Sequence, residues 1–335
     1  MNQPWAPSAE APVEELTAFP FLDAYLAPLA PVLARPEITD ILINEPGRAW
    51  IEAVGRAAEP VDIPELTAEQ LWRLARQIAS FCHQGISREH PLLSARLPDG
   101  ARVQVVAPPA TRGSVAIAIR RHVMSDLTLT DYGAKGAFVG KESALLSAAS
   151  IDAGSNPILF LRDAVLRRKN ILISGGTSTG KTTFLNALLR EVPAEERLIL
   201  IEDTPELILR HANSVGLVAV KGDQGEARVT ADDLLQASLR MRPDRIVLGE
   251  LRGAEASTFL RAVNTGHPGS ITTIHANDPE GAFEQLALIV QASSNLSRAD
   301  ILDYARHVID VSVQLERRKG ERVISSIIEK GRELL

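Results

Sequence analysis

One cysteine, Cys82, occurs in 335 residues, so an internal disulfide is excluded, and no Cys/His cluster has the spacing of a zinc site. Aromatic residues make up only 4%, which leaves little material for the stacking platforms that hold single-stranded nucleic acid. Basic charge is not in excess either: 36 Lys and Arg stand against 42 Asp and Glu, a formal net charge of −6. The chain thus lacks the wide basic footprint of a protein that grips a phosphate backbone, and direct sequence-specific nucleic-acid binding is not expected. No apolar run approaches the roughly 20 residues that span a bilayer, and the first residues hold no basic stretch followed by an apolar one. The expected location is cytoplasmic, with membrane contact peripheral at most.

The chain is 45% hydrophobic and 23% charged, the makeup of a folded globular protein, and is longer than most single cores, so two domains are expected. Residues 1–36 carry Pro4, Pro7, Pro12, Pro20, Pro28, Pro31 and Pro36, which break most helices and central strands; they read as a partly loose leader. Residues 37–124 read as a small α+β domain. Ile41-Leu42-Ile43 and Ala49-Trp50-Ile51-Glu52 suggest two strands joined by a turn at Glu45-Pro46-Gly47. Thr67 and Gln70 ahead of Leu71, Leu74, Ala75 and Ile78 have the spacing of a capping box and an apolar helix face. Pro98-Asp99-Gly100 marks a turn before two β-branched runs, Arg102–Val106 and Ser114–Arg120. From 125 to 140 periodicity weakens among Gly133, Gly136 and Gly140, so this segment reads as a linker or hinge. Residues 141–335 form the second domain. Its continuous apolar runs (Asn170–Ser174, Arg197–Glu202, Arg245–Glu250, Ser270–His275) suit strands buried on both faces, that is, a parallel sheet between helices.

One motif dominates that second domain. Gly175-Gly176-Thr177-Ser178-Thr179-Gly180-Lys181-Thr182 satisfies G-x-x-x-x-G-K-[ST], with a buried strand before it and a helix, Thr183 to Arg190, after it. Such a loop cradles phosphates with backbone N–H groups at a helix N-terminus, Lys181 reaching the β/γ-phosphates and Thr182 holding Mg²⁺. ATP and Mg²⁺ are therefore the expected ligands, with Gly175 to Thr183 as the binding segment. Acidic residues at neighbouring strand ends can reach a nucleotide there. Glu202-Asp203 and Glu250 are the candidates, although taken alone an acidic residue at a strand end is usually a solvated cap. His267 precedes one buried strand and His275 ends it; the second can sense a γ-phosphate. Arg102 and Arg120 lie on strands of the first domain and, from spacing alone, read as surface arginines.

Taken together these segments resemble the type II/IV secretion ATPase superfamily, most closely the VirB-eleven class of hexameric traffic ATPases of type IV secretion and conjugation. The resemblance rests on the phosphate loop, on an "Asp box" (Leu200 to Leu207), on a Walker B region (Leu239 to Arg252), and on a "His box" running from Thr265-Gly266-His267 to His275-Ala276-Asn277. Leu97-Pro98-Asp99-Gly100-Ala101-Arg102-Val103 extends it weakly into the first domain. It implies a RecA-like P-loop NTPase domain preceded by a smaller α+β domain, a homohexameric ring, ATP held between the domains, and docking with inner-membrane secretion or conjugation subunits at the cytoplasmic face. It further implies Glu250 as the Walker B acid, Glu202 as the Asp-box acid, both holding Mg²⁺, His275 as phosphate sensor, and Arg102 and Arg120 reaching the nucleotide. One residue departs from the family pattern: Ser178 replaces the second glycine of T-G-S-G-K and is accommodated if its φ is negative. A single cysteine disfavours the type II export branch with its tetracysteine module, and Arg242-Pro243-Asp244 and His275-Ala276-Asn277 differ from the pilus-retraction pattern. A tight-adherence pilus ATPase and a RecA-like DNA translocase are the alternatives, followed by an assembly subunit that uses nucleotide only to stabilise a ring.

Overall fold

Continuous apolar strands fold here as expected, into a parallel sheet with a core on each face. The computed structural model describes residues 20–53, 56–121, 126–138, 156–219, 229–318, 321–330 and 332–333, and the chain divides into two compact units, residues 1–123 and 124–335.

The N-terminal unit begins with α1 (Pro20–Leu26), a 3-10 turn (Ala27–Leu29) and α2 (Ala30–Leu33). This corrects the reading of residues 20–36 as loose. Pro28 and Pro31 fall in the first two positions of their helical turns, where a missing N–H removes no intrahelical bond. Leu22, Leu29 and Val32 are buried in the unit's core. β1 (Ile38–Glu45) and β2 (Arg48–Ala53) pair antiparallel around Pro46 and Gly47, the glycine at φ +80°. β3 (Glu59–Asp62), α3 (Ala68–Phe81), β4 (Leu92–Arg96), β5 (Arg102–Val106) and β6 (Ala116–Arg120) complete an antiparallel sheet in the order β3-β2-β1-β6-β5-β4. Thr67 caps α3 by accepting from the Gln70 backbone N–H, and Leu71, Leu74, Ala75 and Ile78 pack with the sheet.

The second unit opens on α4 (Leu129–Ala134), inside the segment read as a linker. Thr128 and Asp131 form a full capping box, and Leu129, Tyr132 and Ala137 are buried in the core of this unit; residues 125, 139 and 140 lie outside the described set. There follow α5 (Pro157–Leu166), β7 (Ile171–Gly175), α6 (Lys181–Leu189), β8 (Leu198–Glu202), β9 (Ser214–Val218), α7 (Ala231–Ser238), β10 (Arg245–Leu248), α8 (Glu255–Asn264), β11 (Ile271–Ile274), α9 (Pro279–Gln291) and α10 (Arg298–Val308). A C-terminal meander, β12 (Val311–Arg318), β13 (Glu321–Glu329) and β14 (Arg332–Glu333), ends the unit. The eight strands run in the order β14-β13-β12-β7-β11-β10-β8-β9. From β12 to β9 they are parallel; β13 and β14 are antiparallel additions. Alternation along each strand divides the interior: Ile171, Ile173, Leu198 and Leu200 enter one core, and Leu172, Ile199 and Ile201 the other. Among the described residues no helix is long and apolar enough to cross a membrane.

Candidate active site

β7 is buried from Ile171 to Gly175 and stops where the chain turns out of the sheet. Close packing explains the first glycine of the motif: a Cβ on Gly175 would lie 2.6 Å from Thr179 Oγ1 and 2.7 Å from the Leu315 carbonyl oxygen. Gly180 is required by its backbone, with φ +92° immediately before α6, a region that costs an L side chain strain. Thr179 Oγ1 donates to the Gly176 carbonyl at 2.9 Å and closes the loop on itself. Ser178 also takes a positive φ, +61°. The condition set for a serine, a negative φ, is therefore not met: the loop demands a left-handed residue and the serine adopts it, at a cost of about 1–2 kcal/mol. Thr182 and Thr183 lie in the first turn of α6, so Gly175 to Thr183 form one loop and one helical turn.

Lys181 is 8% exposed. Its ammonium donates to Gly175 O at 2.9 Å and Gly176 O at 3.1 Å, and faces His275 Nδ1 at 3.2 Å. An ammonium has three donors and no acceptor, so Nδ1 must be the unprotonated ring nitrogen and Nε2 carries the hydrogen. Nε2 lies 2.8 Å from Glu250 Oε1, a contact that becomes an ion pair only when the ring is protonated, and this buried oxygen has no hydrogen-bond partner among the described residues. Burial pulls the Lys181 amine down to about 8, with Arg252 adding to the fall and Glu250 opposing it. Burial first, then the charge of Lys181, hold His275 below its ordinary value despite Glu250, so the ring is neutral near pH 7.

The cluster continues past Glu250. Arg252 Nε donates to Glu250 Oε2 at 2.6 Å, and Arg252 Nη1 lies 3.5 Å from Asp203 Oδ2. A chain of polar side chains thus runs Lys181, His275, Glu250, Arg252, Asp203, joining residues just past the carboxyl ends of four strands, β7, β11, β10 and β8. That edge is where open parallel sheets gather ligands. Glu202, the last residue of β8, is buried, and its Oε2 accepts from the backbone N–H groups of Glu206 and Leu207, both at 2.7 Å. Its Cγ lies beside Gly249, the residue before Glu250. A cleft of about 370 Å³ adjoins the loop, lined among others by Gly176, Thr177, His275, Asn277, Asp278 and Gln285.

His267 lies before the start of β11, at the opposite edge of the sheet from His275, where its carbonyl accepts from Ser270 Oγ. Arg102 and Arg120 belong to the N-terminal unit, where they stand directly opposite each other on β5 and β6, and Arg120 Nε donates to Asp40 Oδ1 at 2.9 Å.

With this geometry in hand, the chain matches the family described as "Type II/IV secretion system protein" over residues 23–314. It belongs to that family. Type IV secretion system protein VirB11 of Bartonella henselae is 38% identical over 324 residues, 90% of this chain and 91% of that protein. Type IV secretion system protein PtlH of Bordetella pertussis is 38% identical over 322 residues, 92% and 94% of the two. Among solved structures, the VirB11 ATPase of the Brucella suis type IV secretion system in complex with sulphate is 37% identical, covering 93% of this chain and 99% of that one with a TM-score of 0.50. In this type II/IV secretion family member, Asp203 stood beside Glu202 as a candidate strand-end acid, whereas Arg252 lay inside the Walker B region with no part assigned to it. The readable signal was a basic residue two positions past the strand-end acid, a spacing that lets it turn back onto that acid.

Proposed function

We propose that this secretion-family protein is an ATP-hydrolysing ring motor that powers type IV secretion or conjugative pilus biogenesis and substrate transfer. The observation that carries the reading is the meeting of Lys181, His275 and Glu250 on one glycine-bounded loop, with Glu250 Oε1 a buried acceptor lacking a hydrogen-bond partner among the described residues. These residues fit a magnesium nucleotide: N–H groups at the start of α6 and the Lys181 ammonium suit phosphate oxygens, and Thr182 with Glu250 suits the metal. When bound, the metal neutralises charge on the phosphoryl oxygens.

The protein's own part follows from its contacts. Lys181 must exchange two carbonyls and one imidazole nitrogen for phosphate oxygens. His275, released on one side, is placed to sense the terminal phosphate. Glu250 is the group that orients the attacking water, and Arg252 holds its second oxygen. Glu202 is proposed as the second acid at the metal; since its Oε2 already holds the 203–207 loop, it acts chiefly as a positioning residue. Arg102 and Arg120 are proposed, by analogy with the family, to reach the nucleotide from the N-terminal unit. A homohexamer docking to inner-membrane secretion or conjugation subunits at the cytoplasmic face is the proposed working state; the VirB11 and PtlH relatives, each a type IV secretion system protein matched over 90% or more of this chain, support its place in secretion.

The test is ATP turnover per subunit over a wide range of protein concentration, beside Lys181→Ala. Turnover that rises with concentration and vanishes in the variant supports a ring motor. Equal turnover in both proteins would end the reading.

A further inference from the structure

The β12–β13 hairpin was absorbed by none of the motifs, yet it flanks the phosphate loop. β12 pairs in parallel with β7, Leu315 opposite Gly175, so the residues after Leu315 run past the end of β7 on the loop side of the sheet. The chain returns in β13, where Arg322 stands directly opposite Arg317. A Cβ placed on Gly180 would lie 3.0 Å from Arg322 Cδ, 3.6 Å from Nε and 3.7 Å from Nη1. The guanidinium therefore rests against the last glycine of the loop, just where α6 begins. Its charge also reaches the phenol of Tyr132, where it opposes the burial that pushes Tyr132 up to about 12. Among the described residues no carboxylate pairs with Arg322.

We infer that Arg322 is a nucleotide-binding residue that contacts the α- or β-phosphate of the bound nucleoside di- or triphosphate, a reading that rests on the proposed ATPase site. The side of approach decides which phosphate. The strand order is β12-β7-β11-β10, so His275 and Glu250 come to the loop from the β11 and β10 side and Arg322 from the β12 side. With the terminal phosphate beside His275 and Glu250, the remainder of the nucleotide extends toward the hairpin. A planar fork of donors is suited to phosphate oxygens.

The experiment measures binding of ADP and of a non-hydrolysable ATP analogue to the full-length protein, to Arg322→Gln and to Arg322→Lys, with Lys181→Ala as reference, together with melting temperature with and without ADP. Arg322→Gln is expected to weaken both nucleotides about tenfold or more, the size of a lost charge-assisted hydrogen bond. Arg322→Lys should recover part of the loss. The melting temperature without nucleotide should stay at the wild-type value, while the rise produced by ADP shrinks. Affinities within twofold of wild type, a loss confined to the triphosphate, or an equal fall in the nucleotide-free melting temperature would each overturn the inference. Wild-type protein that binds neither nucleotide would overturn the ATPase reading beneath it.

Discussion

The two edges of the parallel sheet hold similar side chains in opposite conditions. At the edge where the strands begin, Arg245 is fully buried and donates to Glu196 from Nε at 2.6 Å and Nη2 at 3.1 Å, with Nη1 reaching the Gly269 carbonyl. Burial pushes Glu196 up, but the hydrogen bonds and charge of Arg245 outweigh it and hold its carboxyl low. Arg168 and Asp244 extend the cluster. At the edge where the strands end, Glu250 keeps a buried oxygen without a hydrogen bond and burial depresses the Lys181 amine. A structural ion cluster satisfies its members; a ligand-binding one leaves them in wait for a partner. Burial alone would not have told the two apart.

Substitution at each edge should break that contrast in different observables. The largest change in stability is expected from Arg245→Met, which strands the Glu196 charge in the interior: about 3–5 kcal/mol lost, read by urea unfolding. At the other edge, Glu250→Gln should lower turnover about 100- to 1,000-fold and leave nucleotide-free stability near wild type, as steady-state assays beside denaturation curves will show. A comparable stability loss there would make Glu250 a structural residue like Glu196.

A smaller effect concerns pH. Lys181 has its amine depressed to about 8, and an anion bound beside it favours the charged form, so binding takes up a proton once the pH exceeds about 8. Nucleotide affinity should therefore hold up to about pH 8 and then fall, by at most about tenfold per unit, in titrations from pH 7 to 9.5; in Lys181→Met that fall should vanish with the tight binding. The smallest effect is at Ser178. Replacing it by glycine removes the left-handed strain and should stabilise the nucleotide-free protein by about 1 kcal/mol, visible as a rise in melting temperature.

The same contrast explains what could be read from the sequence. The four buried strands and the loop between Gly175 and Lys181 were legible because apolar runs and glycines leave a local signature. So was the turn at Pro46 and Gly47. Residues 126–138 were not, since α4 spans only Leu129–Ala134, too few turns for a 3.6-residue period to emerge. Thr128 and Asp131 were the signal that remained, a capping box ahead of Leu129 and Tyr132. The alternation in Val311-Ser312-Val313-Gln314-Leu315 was likewise available, yet its placement beside β7 depends on register across 140 positions, which no local pattern carries. The positive φ of Ser178 was hidden for a related reason: the loop sets that backbone angle and the residue only tolerates it.

Leu315 and Gly175 stand opposite each other in the ladder, and the Leu315 carbonyl leaves no room for even a methyl group on that glycine. Hairpin and loop therefore have little slack between them, and displacement of one is displacement of the other. Any ligand gripping β12 or β13 more tightly in one loop conformation than another is thermodynamically linked to the loop's own ligand. Each would alter the other's affinity by the same factor, making the edge of the sheet a second handle on its centre.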